Sequence, residues 1–281
     1  MKDRAVQKFV IESKKGRSIL NFRELFLYKD LLYFFVLRDI TVLYKQTILG
    51  ILWAILNPMF QMVVFSVIFG KLAAIPSDGI PYPIFTFSGI LPFNYFSQSL
   101  SNASMSLVST TGIFTKIYFP RILIPLTPIL SKLADFLIAF LILIGMMFFY
   151  DIIPTVNVVF LPMLIFLMIL TSMGIGMWLS SLAIQYRDVK FAIGFITSLL
   201  LYSAPVVFPA SLIAEKAGYT VYLLYGLYPM AGVIEGFRAS LLGRTPMPWD
   251  LILIGSISSV IIFFSGAYYF KRTERIFADV A

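Results

Sequence analysis

Neither cysteine nor histidine occurs among the 281 residues. Their absence excludes disulfides, thiolate and imidazole metal sites, Ser-His-Asp triads and Cys-His nucleophiles. Charge is also scarce: Asp, Glu, Lys and Arg make up 13% of the chain, against about 25% in a soluble domain. Acids are the rarer sign, with 14 Asp and Glu beside 22 Lys and Arg. No G-x-x-x-x-G-K-[ST] loop is present to cradle phosphates, so any ATP-driven work has to draw its energy from another polypeptide.

What fills the chain instead is apolar. Hydrophobic residues reach 59% and the mean hydropathy is +0.91, which marks an integral membrane protein. The apolar runs are long and uncharged, and they do not alternate every second residue. They therefore predict helices and not barrel strands. The first 24 residues are charged and contain no apolar stretch of leader length. No cleavable leader is expected, and the first membrane segment is expected to act as its own insertion signal.

A span needs about 20 mostly apolar residues. That criterion predicts six: Ile48–Gly70, Ile84–Met105, Ile122–Tyr150, Val158–Ala183, Phe191–Phe208 and Trp249–Phe270. Ser97, Gln98, Ser99, Ser101 and Asn102 make the last third of the second polar, so that part should face protein or a water-filled path. A seventh apolar stretch, Tyr219–Leu242, is interrupted by Gly226, Pro229, Gly232 and Gly236 and charged by Glu235 and Arg238. It suits two short re-entrant helices better than a span. With six spans, all Lys and Arg except Lys71, Lys216, Arg238 and Arg244 fall on one side. The positive-inside rule then puts both termini in the cytoplasm, and the net charge of +8 reflects orientation and anionic lipid, not nucleic acid.

The fold class is thus an all-α polytopic membrane protein. Residues 1–47 form a cytoplasmic N-terminal region, 48–270 the six-helix domain and 271–281 a cytoplasmic tail. Within the first of these, Val36–Gln46 is amphipathic. Val36, Leu37, Ile40, Leu43 and Tyr44 share one face, and Arg38, Asp39, Thr41, Lys45 and Gln46 the other, with Val42 as the exception. A surface helix beside a transport path and a plain membrane anchor both fit that pattern.

Between spans two and three lies "STTGIFTKIYFPR", Ser109–Arg121. Ile113, Ile117 and Tyr118 can share one side of a short helix that Pro120 ends. An interfacial loop and a helix that takes force from a soluble partner are both open. Lys132 and Asp135 are spaced to pair near the start of span three. Aromatic residues make up 16% of the chain. Phe93, Tyr95, Phe96 and Tyr202 are candidates to line a conduit in which rings stack on sugars; helix packing and interfacial anchoring are the alternative roles.

Four stretches in order carry a resemblance: "LRDITVLYKQTILGILWAILNPMFQMVVFSVIFGKL", "SGILPFNYFSQSLSNASMSLVSTTGIFTKIYFPRILIPL", "LSSLAIQYRDVKF" and "YPMAGVIEGFRASLLG". From about Leu37 to Phe270 the chain resembles the type-2 ABC exporter permeases that move polysaccharides and teichoic acids, the O-antigen permeases above all. The resemblance implies a homodimer of permease chains joined to two nucleotide-binding subunits in a bacterial inner membrane. ATP and Mg would sit on those partners, none in this chain, and the cargo would be a lipid-linked glycan. It also implies that 109–120 is a coupling helix, with Thr115, Lys116, Ile117, Tyr118 and Phe119 contacting the ATPase, helped by Tyr186, Arg187 and Asp188. Arg38, Asp39, Tyr44 and Lys45 become interface-helix positions, and 209–248 an outer gate region held by Glu235 and Arg238. Two rivals remain at this point. A membrane enzyme acting on polyprenyl-linked sugars would need a carboxylate cluster, yet Asp151, Glu215 and Asp250 stand isolated in the sequence. A passive channel or scaffold would need no docking element.

Overall fold

The computed structural model describes residues 22–45, 48–110, 119–274 and 277. Every regular element among them is helical. The chain opens with α1 (Phe22–Leu27) and α2 (Lys29–Lys45). Next come α3 (Leu52–Phe65), which widens into a π-helical turn over Ser66–Leu72, and the 28-residue α4 (Tyr82–Ser109). After them stand α5 (Leu123–Phe149), a 3-10 turn at Val156–Phe160 running into α6 (Leu161–Gln185), and α7 (Val189–Ser203). Three short helices, α8 (Ser211–Ala217), α9 (Tyr219–Tyr225) and α10 (Pro229–Leu242), precede α11 (Trp249–Thr273).

Among the described residues, four helical stretches are long and apolar enough to cross a membrane: Leu52–Leu72, Leu123–Phe149, Val156–Gln185 and Trp249–Thr273. The other two expected spans differ from these. α4 has the length and no charged residue, but Ser, Asn and Gln dilute its apolar character. α7 is apolar yet only 15 residues long. The expected segment ran to Phe208, whereas the helix stops at Ser203 because Pro205 follows Ala204. A residue before proline is pushed out of the helical region, and Ala204 sits at φ −78°, ψ 147°. The amphipathic helix differs in the opposite direction, starting at Lys29 and not at Val36.

α4 lies at the centre, between α5 and α6, and α11 packs along α6. The main core runs through Phe85, Phe87, Phe96, Leu100, Leu143, Leu164 and Phe237. A second, smaller core gathers at one end of the bundle. There Leu107, Leu123, Met177 and Phe270 meet Phe119 and Phe277, with Leu31, Leu32 and Phe35 of α2 packed on them. That packing accounts for the early start of α2, whose first half is anchored by the bundle.

Small residues bring α6 and α11 together. A Cβ on Gly174 would stand 2.8 Å from the backbone of Ile262, and one on Gly266 would overlap the carbonyl of Gly174. Close by, the Thr171 and Ser259 hydroxyls are hydrogen-bonded at 2.9 Å. Helices in lipid associate through such close approach and hydroxyl pairing. A Cβ on Gly232 would stand 2.7 Å from the Leu251 carbonyl oxygen, so the α10–α11 contact also rests on a missing side chain.

Candidate functional site

Among the described residues, polar side chains interrupt the apolar packing at several places, and three groups stand out. The first is the expected pair on α10. Glu235 and Arg238 are one turn apart and form an ion pair at 2.9 Å, with Arg238 1% exposed. The guanidinium also donates to the carbonyls of Val206 at 2.7 Å and Phe85 at 3.3 Å, and it lies 3.6 Å from the centre of the Phe85 ring. Glu235 Oε1 accepts from the Ala210 backbone at 2.9 Å. Residues 204–210, where α7 has ended, leave backbone groups without helical partners. Arg238 and Glu235 supply two of those partners, and the Tyr82 hydroxyl supplies another by donating to Val207 O at 2.6 Å.

The second group joins α2 to α5. Lys132 Nζ pairs with Asp135 at 2.8 Å, as their spacing predicts, and the Tyr44 hydroxyl donates to the other carboxylate oxygen of Asp135. Burial, and then the Asp135 carboxylate, push the Tyr44 hydroxyl above the usual tyrosine range, so it remains a protonated donor. Tyr44→Phe removes that hydroxyl and leaves the Lys132–Asp135 pair in place. A loss of roughly 1.5–3 kcal/mol is expected, the order of a hydrogen bond to a charged group, seen as a lower thermal midpoint of the detergent-solubilised chain. An unchanged midpoint would separate Tyr44 from the joint.

The third group is a row of carboxamides. Asn94, Gln98 and Asn102 follow one another at i, i+4 and i+8 on α4, and Asn57 and Gln61 do so on α3. Asn94 Nδ2 donates to Gln61 Oε1 at 2.8 Å. Asn57, Gln98 and Asn102 are exposed. Two cavities flank the row. One of about 240 Å³ is lined by Tyr44, Trp53, Asn57, Asn94, Gln98 and the Lys132–Asp135 pair, among others. The other, of about 510 Å³, lies between α2, α4 and α5, where Arg38, Asp39, Ser101 and Asn102 contribute. Lys132 lines both.

The expected conduit aromatics are distributed unevenly around these features. Phe93, Tyr95 and Phe96 are buried in the main core, and the Tyr95 hydroxyl donates to Ile129 O at 3.0 Å while its ring meets Phe136 edge-on. Tyr202 is 66% exposed. Of the expected coupling residues, Thr115, Lys116, Ile117 and Tyr118 lie outside the described residues. Phe119 is buried, with its ring 5.7 Å from that of Phe35 on α2, and Arg121 donates to Glu274 O at 2.7 Å, at the end of α11. Tyr186, Arg187 and Asp188 are exposed between α6 and α7. On α2, Arg38 and Asp39 pair with each other at 2.8 Å, and Lys45 is exposed. Gln46 lies outside the described residues. Of the carboxamides only Gln98 and Asn102 were legible in the sequence, as part of the polar third of one span. Their alignment with Asn57 and Gln61 depends on how α3 packs against α4.

The model of the ABC-2 type transporter family matches residues 31–242. An O-antigen export system permease protein RfbA of Myxococcus xanthus is 25% identical over 255 residues, covering 90% of this chain and 96% of that protein. A protein of the same name from Klebsiella pneumoniae is 26% identical over 252 residues, covering 89% and 95%. The polysialic acid transport protein KpsM of Escherichia coli is 26% identical over 250 residues, covering 85% and 92%.

Proposed function

Since the chain belongs to the ABC-2 type transporter family, we propose that it is the permease subunit of an ATP-driven exporter carrying a lipid-linked polysaccharide, an O-antigen, across the bacterial inner membrane. The observation that carries this is the near full-length likeness to permeases named for O-antigen export. Two copies would pair with each other and with two ATPase subunits that hold the ATP and Mg. In each copy, α3, α4, α5, α6, α7 and α11 would cross the membrane, with both termini cytoplasmic. The broken stretch from α8 to α10 would form the outer gate, and the lipid-bearing end of the cargo would enter beside α2.

Force would enter through 109–120. What supports this is how its end and the residue that follows are tied down. Phe119 packs on Phe35, and Arg121 holds the Glu274 carbonyl. A displacement of the loop would therefore pull on α2 and on the end of α11 together. From α2 it would pass through Tyr44 to Asp135 and the middle of the bundle. Closure of the ATPase pair would in this way separate the second and fifth spans of facing copies and open a path between them.

The test is to reconstitute the chain with the ATPase encoded beside it and follow hydrolysis. Lys116→Glu combined with Tyr118→Ala is expected to abolish the complex or the permease-dependent part of hydrolysis. An intact complex with unchanged hydrolysis would reject the coupling role of 109–120 and favour a passive channel.

A further inference from the structure

A side-chain amide gains nothing from facing lipid, because its donors and acceptor lose water without replacement. Five of them nevertheless line one side of the α3–α4 pair, and three of the five are exposed. Successive amides on α4 are spaced about 6 Å along the axis. Charge in the walls is already matched. Lys132 is paired with Asp135 and Arg38 with Asp39, both at 2.8 Å, and among the described residues neither cavity is lined by any other ionised side chain. The described walls carry no net charge and a surplus of neutral donors and acceptors.

We propose that the amide row of Asn57, Gln61, Asn94, Gln98 and Asn102, together with the two cavities beside it, forms successive hydroxyl-binding subsites that select an uncharged sugar chain over a polyanionic one. This rests on the permease function proposed above. A carboxamide both donates and accepts, so it pairs with a sugar hydroxyl in either sense and can exchange partners as the ring advances. The smaller cavity, about 240 Å³, is roughly the share of eight waters at ~30 Å³ each and is of a size to take one sugar ring, with Trp53 at its wall as a stacking face. A chain bearing a carboxylate on every sugar would meet no unmatched cation among the described residues of these walls. Each carboxylate would lose water against walls that return only neutral hydrogen bonds.

The test has two arms. In cells that make the glycan and the ATPase but lack this chain, wild type is expected to restore surface glycan. Failure at that step overturns the permease function itself. With wild type active, Gln98→Leu combined with Asn102→Leu is expected to cut surface glycan at least tenfold, at unchanged membrane level and unchanged copurification with the ATPase. Wild-type export by that variant overturns the subsites. In the second arm Trp178→Phe and Trp249→Phe leave Trp53 as the one tryptophan of the purified chain. Its emission is expected to shift with maltoheptaose and not with oligosialic acid at equal sugar concentration, and Gln98→Leu is expected to abolish the shift. An equal response to both sugars, or none to maltoheptaose, overturns the selectivity.

Discussion

Arg238→Met is expected to cost about 3–5 kcal/mol, the range for removing one partner of a buried ion pair. The midpoint for loss of the monodisperse species on heating in detergent should fall by on the order of 10 °C. Methionine keeps much of the volume but none of the donors. It would leave Glu235 as an unpaired charge in the interior and strip the carbonyls of Val206 and Phe85 of their partners. Glu235→Gln keeps an acceptor for the Ala210 backbone and should cost less. The double variant should lose less than the sum of the two singles, since both act on one pair. A strictly additive result would show that Arg238 is held by its contacts with carbonyls and the Phe85 ring, and not by Glu235.

The i, i+3 spacing makes this pair legible in the sequence, but its purpose is not. Val206 lies 32 residues away and Phe85 153 residues away, and no local pattern announces contacts of that range. Most helices were legible because long uncharged runs have few alternatives in lipid, and the break at Gly226 and Pro229 was legible because those residues disrupt a span. The end of α7 could have been read from Pro205; the apolar run through Val206, Val207 and Phe208 hid it. The early start of α2 was hidden in the opposite way. Lys29, Asp30 and Arg38 dilute its periodicity, and Leu31, Leu32 and Phe35 gain meaning only from the bundle end on which they pack. In the candidate site, counting aromatics pointed to Phe93, Tyr95 and Phe96, which are buried, and of the three Tyr95 also lines the smaller cavity. Gln98 and Asn102 show in the sequence as part of a polar patch without a direction, and Asn57 does not stand out at all, because direction comes from the packing of α3 on α4.

Gly266→Val is expected to leave little folded chain in the membrane. Even alanine would bring its Cβ onto the Gly174 carbonyl, and valine adds two methyl groups where two backbones touch. Overpacking usually costs about 1–3 kcal/mol. Here the clash is with backbone on both sides, so one helix would have to move off the other, with loss of the Thr171–Ser259 hydrogen bond. Gly174→Ala should show the same defect in milder form, and the two together should be less than additive because they disturb one contact. Survival of the folded species after detergent extraction, followed by size-exclusion chromatography, reads the effect. By contrast, Gly145 and Gly194 have open space where a Cβ would stand, and alanine at either is expected to leave extraction unchanged. A Gly266→Val chain that extracts like wild type would mean that α6 and α11 do not need this approach.

The wide turn at Ser66–Leu72 bears on how the gene can change length. A π-helical turn holds one residue more than the α-helical turn it interrupts. Deleting one residue there would let the turn relax to α geometry while the phase of Leu52–Phe65, and with it Asn57 and Gln61, stays as it is. The same deletion inside α4, between Phe85 and Asn94, would rotate all that follows by about 100° and carry Asn94, Gln98 and Asn102 off their row. Related chains that differ by a single codon in this half of the protein should therefore carry that difference at Ser66–Leu72 or in the loop after it, and not in α4.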